Sequence, residues 1–247
     1  MIKHIFSGIL FLVFAQLQTS AQDNLINHIF DLIYSQHYDS ATVLLARNNM
    51  KIDGYYRAVL EIDLSYWENV TGTDDPDYEA FEITLNKYNI VSATTFHEKA
   101  IRLITLSYQL RYELKRFKIF NAISTRKKTL TLFNELKNSA SVLNPGQREL
   151  FQLYSALILY FDNYLRPFFA NGKDENMLVA LSKMEKLSTS AAPITSTLSS
   201  YFLGKIYLNY EKQAEKGALH FKALTGRYPE NQKFKELYNE CTLKAED

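Results

Sequence analysis

The residues that could carry out chemistry are few in this 247-residue sequence, and they form no recognisable catalytic or metal-binding pattern. It has five histidines and one cysteine, and no two histidines have the spacing of metal ligands on one helix. His97-Glu98 begins like a zinc-protease motif, but Ile101 stands where the second histidine belongs. Glycine-rich phosphate loops and the Gly-x-Ser-x-Gly nucleophile motif are both missing from the sequence. We therefore expect no enzymatic activity, no metal and no cofactor.

The arrangement of charged residues is more informative than the residue types. Between Glu61 and Glu82 there are eight acidic residues and no basic one, whereas residues 111–128 carry seven basic residues and one acid, Glu113. One interpretation is that neighbouring helices turn these charges towards each other or towards water, which needs no functional cause. The other is that the basic block contacts an acidic partner. The predicted contact residues of the basic block are Arg111, Lys115, Arg116, Arg126, Lys127 and Lys128.

Two further features could contribute to a site. Asp162 and Arg166 are one helical turn apart in the most apolar segment, so we expect them to form an ion pair, because an isolated buried charge is costly. The sequence supplies no second acid for a catalytic carboxylate pair. Aromatic residues are frequent, at 14% of the chain, and they either fill the core or line a groove for a peptide or a sugar.

The elements that must position these residues are predicted to be helices. The chain has only 8 glycines and 5 prolines, too few for the many turns of a β-rich or α/β fold. Apolar residues recur at helical spacing, and we predict an all-α fold of about ten to eleven helices arranged as antiparallel hairpins. The helix that begins at Asn144-Pro145 is apolar on nearly every side, so we expect it at the centre of the fold.

The first 21 residues have the pattern of a cleaved signal peptide. A short basic start is followed by an apolar stretch too short to span a bilayer and by the small residues Thr19-Ser20-Ala21. We expect export to the periplasm, with secretion as the alternative, and residues 22–247 as one helical domain that does not span the membrane. No cysteine adjoins the cleavage site, so a lipid anchor is not expected, and Cys241 should be buried and inert.

Residues 201–231 have the spacing of a helical-repeat motif. The positions that carry it are Leu203, Gly204, Tyr207, Gly217, Phe221, Leu224 and Pro229. On these residues the chain resembles the tetratricopeptide-repeat-like proteins exported to the envelope of Bacteroidota. The resemblance implies a helical-repeat scaffold without a particular activity. Residues 90–195 show hairpins without the repeat, so an α-solenoid and a compact helical array both remain open.

These observations predict a non-catalytic exported scaffold that binds a protein or peptide in the cell envelope. The alternative is a protein that binds a glycan or another small ligand in an aromatic groove between helices. Nucleic-acid binding is not expected, because the net charge is only +1.

Overall fold

The computed structural model describes residues 22–167 and 169–246, and within them every regular element is helical. The all-α prediction is therefore confirmed for this part of the chain. The predicted signal peptide, residues 1–21, lies outside the described residues. None of the described helices is both long enough and apolar enough to cross a membrane.

Eleven α-helices follow one another in the described residues, with short turns between them. They are α1 (22–34), α2 (Tyr38–Arg47), α3 (Gly54–Tyr66), α4 (Tyr78–Tyr88), α5 (Phe96–Lys115), α6 (Ile119–Leu136), α7 (Pro145–Tyr164), α8 (Lys173–Ser188), α9 (Pro193–Asn209), α10 (Ala214–Arg227) and α11 (Gln232–Glu246). A π-helical turn, Trp67–Thr71, extends α3 at its carboxyl end.

Side-chain caps mark where α4 and α7 begin. Asn144 caps α7 and forms a reciprocal pair of hydrogen bonds with Gln147, with Pro145 in the first turn, as predicted. The sequence also predicts a helix start with Asp75 as the cap and Pro76 at the first helical position, and this is wrong. The helix begins at Tyr78, because the Asp77 carboxylate accepts a hydrogen bond from the Ala80 amide at 3.0 Å.

Helices that are adjacent in the sequence pack against each other, and α7 lies at their centre. It contacts α5, α6, α8 and α9, which explains why its sequence is apolar on nearly every side. The contacts are unequal: α6 packs along α5 over much of its length but touches α7 only lightly, whereas α7 and α8 pack closely. A gap between α6 and α7 is the consequence.

Helices α9 and α10 approach each other closely, and each has a glycine at the contact. A Cβ atom on Gly204 would come within 2.7 Å of the Phe221 ring, and one on Gly217 would lie 3.0 Å from the Cys241 sulfur. The repeat-motif residues are therefore placed on α9 and α10, with Pro229 in the turn before α11. Cys241 is fully buried, as predicted, and burial raises the pKa of its thiol.

The first helix contacts the last two, although they are far apart in the sequence. The Tyr228 hydroxyl donates a hydrogen bond to Asp31 of α1 at 3.0 Å, and the Asn231 side-chain amide donates one to the Tyr34 carbonyl at 2.7 Å. The Tyr34 ring also lies 6.1 Å from that of Phe234 in α11. The two ends of the described chain thus share one core.

Candidate binding cleft

A central cleft of about 730 Å³ opens between α5, α6, α7, α9 and α11, with the π-helical turn after α3 at one side. This volume is within the range of pockets that hold small organic ligands, roughly 300–1,000 Å³. The light contact between α6 and α7 leaves room for it.

The wall of the central cleft is chiefly aliphatic and aromatic. On α9, Phe202, Ile206 and Asn209 line it at spacings of four and three residues, which place them on one helical face. The apolar wall residues from the neighbouring helices are Leu110, Leu114, Leu130, Leu157, Ile158 and Phe161.

Two hydroxyl groups on the wall are already engaged within their own helices. The Ser107 hydroxyl donates to the Leu103 carbonyl at 2.9 Å, and the Thr129 hydroxyl donates to the Thr125 carbonyl at 2.8 Å. Neither hydroxyl group is therefore available to donate a hydrogen bond to a ligand. This part of the wall behaves as an apolar surface.

The charges that line the central cleft are mostly positive. Five of its described lining residues are basic and one is acidic. They are Arg111, Lys115, Arg126, Lys205 and Lys233, with Asp162 as the acid. Because a charge in an apolar surrounding is poorly solvated, this excess favours an anionic group in the cleft.

Arg111 is held by aromatic rings and not by an acid. The centre of its guanidinium lies 4.3 Å from the ring centroid of Tyr108 and 4.6 Å from that of Phe202, and a third ring, Tyr66, lies 5.6 Å away. Its Nη2 atom is buried and has no hydrogen-bond partner among the described residues. Stacking thus orients the planar group and leaves hydrogen-bonding capacity unused.

A buried carboxylate, that of Asp63, lies at the hydroxyl end of the Tyr108 ring. Asp63 accepts hydrogen bonds from the hydroxyls of Tyr34, at 3.2 Å, and Tyr108, while Tyr154 donates to the Tyr108 hydroxyl at 3.1 Å. We call these four residues the Asp63 cluster. Burial raises the pKa of the Asp63 carboxyl to about 6, and the hydrogen bond from Tyr108 and the charge of Arg111 oppose that rise. Asp63 is almost completely buried and does not line the cleft, so it is not placed to act on a ligand.

Lys205 projects from α9 into the same cleft. It has no hydrogen-bond or ion-pair partner among the described residues, and burial lowers the pKa of its ammonium group. Glu240 attracts this charge, while Lys115 and Lys233 repel it. Lys233 pairs with Glu236 at 2.8 Å and Lys115 donates to the Val70 carbonyl at 3.0 Å, so Lys205 and Arg111 are the less satisfied cations.

An ion-pair triad connects α6 to α7 across the gap. Asp162 is 8% exposed, and it accepts from Arg166 at 2.7 Å, which confirms the predicted pair along the helix. Its other oxygen accepts from Arg126 of α6. The acid of the central cleft is therefore already neutralised by two guanidinium groups.

The six predicted contact residues of the basic block do not form one surface. Arg111, Lys115 and Arg126 line the central cleft, whereas Arg116 pairs with Glu82 at 3.4 Å and stacks on Tyr78. Lys127 and Lys128 are exposed on α6 and do not line the cleft. Part of the acidic block faces the basic one, since Glu82 also pairs with Lys118 at 2.8 Å.

The turn between α5 and α6 presents an exposed apolar surface, which we call the hairpin tip. Its members are Phe117, Ile119, Phe120 and Ile123, and the two phenylalanines are 85% and 88% exposed. Ile119 and Ile123 share a helical face with Arg126 and Leu130, which line the cleft. The hairpin tip is thus continuous with the α6 side of the central cleft.

Sequence analysis missed Lys205 and the aromatic residues beside it. A signal was present, because Lys205 is the one charged residue in the run from Ile194 to Asn209. An isolated lysine in an otherwise apolar helix needs either a partner or a function.

Within residues 22–167 and 169–246, no group of three or more His, Cys, Asp or Glu side chains is arranged to hold a metal ion. Comparison of the chain with protein-family models, with curated proteins and with solved structures gives no match.

Proposed function

We propose that this protein is a non-catalytic binding protein that holds a small, largely apolar ligand in the central cleft. One observation carries the proposal: a cleft of about 730 Å³ opens between helices that otherwise pack closely, and its walls are chiefly apolar. Exposed apolar surface of this kind is costly unless a ligand or partner covers it.

The walls favour an apolar ligand over a glycan or an extended peptide. Both of those carry polar groups along their whole length, and each such group needs a hydrogen-bond partner when it leaves water. The hydroxyls of Ser107 and Thr129 are engaged within their helices and offer no donors.

A neutral dye tests this proposal without involving charge. We expect Nile red, whose fluorescence increases in apolar surroundings, to bind the purified protein with one-to-one stoichiometry. Leu130→Trp should reduce the bound dye at least fivefold, because Leu130 lines the cleft and the larger side chain fills it.

Leu178→Trp is the matched control, since Leu178 is 66% exposed on α8 and does not line the central cleft. Its dye binding should equal that of the unchanged protein. Equal dye binding by the Leu130 and Leu178 variants would show that the dye does not occupy the cleft, and the proposal would then be wrong.

A second candidate function is the docking of a protein partner on α6, as the basic block predicts. It is favoured by one surface, where Phe120, Ile123 and Lys127 follow at spacings of three and four residues and all are exposed. Lys127→Gln with Lys128→Gln should then reduce capture of a partner from envelope extract. The matched control is Lys183→Gln with Lys186→Gln on α8, and equal capture by both double variants would contradict docking on α6.

A further inference from the structure

We infer that the ligand of the central cleft is an amphipathic anion: a single hydrocarbon chain with an anionic head group, the head bound between Arg111 and Lys205. This inference rests on the proposed function, because it names the ligand class of the same cleft.

The head-group position follows from the two cations that lack acidic partners. Arg111 is fixed by the rings of Tyr108 and Phe202, and its Nη2 atom has no hydrogen-bond partner. Lys205 approaches from α9, on the next turn of helix after Phe202, and has no ion-pair partner among the described residues. A planar guanidinium fork and an ammonium group that line the same cleft are well suited to a carboxylate or a phosphate.

The acidic residues near this position do not form ion pairs with Arg111 or Lys205, so both cations remain available to an anionic ligand. Asp63 accepts a hydrogen bond from the Tyr108 hydroxyl and forms no ion pair with Arg111, although the two charges attract each other, and Glu236 pairs with Lys233. Glu240 attracts Lys205 but does not line the cleft. Asp162 is held by Arg126 and Arg166 at the α6–α7 side.

The chain position follows from where the cations without an acidic partner lie relative to the α6–α7 wall. The basic residues other than Arg126 lie on α5, α9 and α11, whereas Leu130, Leu157, Ile158 and Phe161 line the α6–α7 side. A hydrocarbon chain that extends from the head group would contact these side chains and make no demand for hydrogen bonds. Each buried methylene group adds to the affinity because it is removed from water.

The exposed hairpin tip agrees with this orientation. Ile119 and Ile123 continue the α6 face of Arg126 and Leu130 towards the start of the helix. An apolar ligand that enters from the α6–α7 side therefore meets an apolar surface before it reaches the cleft.

The test is a calorimetric titration of the unchanged protein at pH 7 with three probes of equal chain length: dodecanoate, dodecyl phosphate and dodecanol. We expect at least one of the two anions to bind ten times more tightly than the alcohol, and the tighter of them identifies the head group as carboxylate or phosphate. Acetate and inorganic phosphate should not bind measurably, because they lack the chain. Equal binding of dodecanol and both anions would overturn the inference while leaving the proposed function intact.

Variants then locate the head group. Lys205→Gln and Arg111→Gln should each weaken binding of the anion at least tenfold and leave dodecanol binding unchanged. Lys127→Gln is the matched control, because Lys127 is exposed on α6 outside the cleft. If Lys205→Gln, folded by circular dichroism, binds the anion as tightly as Lys127→Gln does, the head-group position is wrong.

Discussion

The α9–α10 hairpin and the α6–α7 gap are two opposite solutions to packing one helix on another. At the hairpin, Gly204 lies directly against the Phe221 ring, so no Cβ atom separates the helices. At the gap, α6 is held to α7 by the Arg126–Asp162 ion pair and by few other contacts. The small residue closes one interface, whereas the long charged side chain spans the other and leaves a cleft. The difference suggests that the first interface contributes chiefly to stability and the second to ligand access.

The largest expected effect is at the close interface. Gly204→Leu should lower the free energy of unfolding by about 3 kcal/mol, because even its Cβ atom would come within 2.7 Å of the Phe221 ring. Urea denaturation followed by circular dichroism measures the change. Gly226→Ala is the control, because a Cβ atom there meets nothing within 4 Å. It should be neutral or stabilising, since alanine favours a helix by about 1 kcal/mol, and equal losses from Gly204→Leu and Gly226→Ala would contradict the assignment.

A smaller effect, which depends on pH, is expected in the core beside the cleft. The Asp63 carboxyl has an ordinary pKa of 3.8, and burial raises it to about 6 in the folded protein. The folded state therefore binds the proton more tightly. Protonation of Asp63 therefore stabilises the folded state, and this contribution is fully present below about pH 4. It amounts to roughly 2 to 3 kcal/mol and is lost as the pH rises through 6.

Asp63→Asn removes this titration, while tyrosine hydroxyls remain available to the amide. Urea denaturation of both proteins between pH 4 and 8 should show a decline in stability for the unchanged protein that the variant largely lacks. Parallel curves would mean that Asp63 has no raised pKa in the folded state.

The smallest expected effect on stability is at the gap itself. Arg126→Met should lower the free energy of unfolding by only about 1 kcal/mol, because the arginine is 36% exposed and Asp162 keeps Arg166 as a partner. The same change should accelerate Nile red uptake in stopped-flow measurements, since the link across the gap is lost. Lys128→Met, on the same helix and exposed, should leave both quantities unchanged. Unaltered uptake by Arg126→Met would mean that the ion pair does not control access.

Features set by local sequence could be predicted. The helices follow from apolar periodicity, the start of α7 from Asn144-Pro145, and the Asp162–Arg166 pair from a spacing of four residues. Cys241 was correctly expected in the core. Even locally the prediction of Asp75 as a cap is wrong, because Asp77 precedes the same helix and only the backbone path determines which aspartate caps it.

The central cleft could not be predicted, since it depends on how far apart α6 and α7 lie. That distance is set by tertiary packing, and no pattern within either helix encodes it.

The basic block does not form the single surface that was predicted, and the reason is geometric. Arg111 and Lys115 are one turn apart and share a face, whereas Arg116 is rotated by about 100° from Lys115, since a helix has 3.6 residues per turn, and reaches Glu82 instead.

The contacts between α1 and the turn that leads into α11 have a consequence for how the protein unfolds. In a row of helices that touch only their sequence neighbours, the end units can detach one at a time. Here Tyr228 and Asn231 attach the last hairpin to Asp31 and Tyr34, which lie 197 residues earlier in the chain. Release of either of these segments removes a partner of the other, so we expect that α1 and the last hairpin do not detach independently. Loss of α1 is therefore expected to leave Tyr228 and Asn231 without these partners, which couples opening at one end of the described chain to opening at the other.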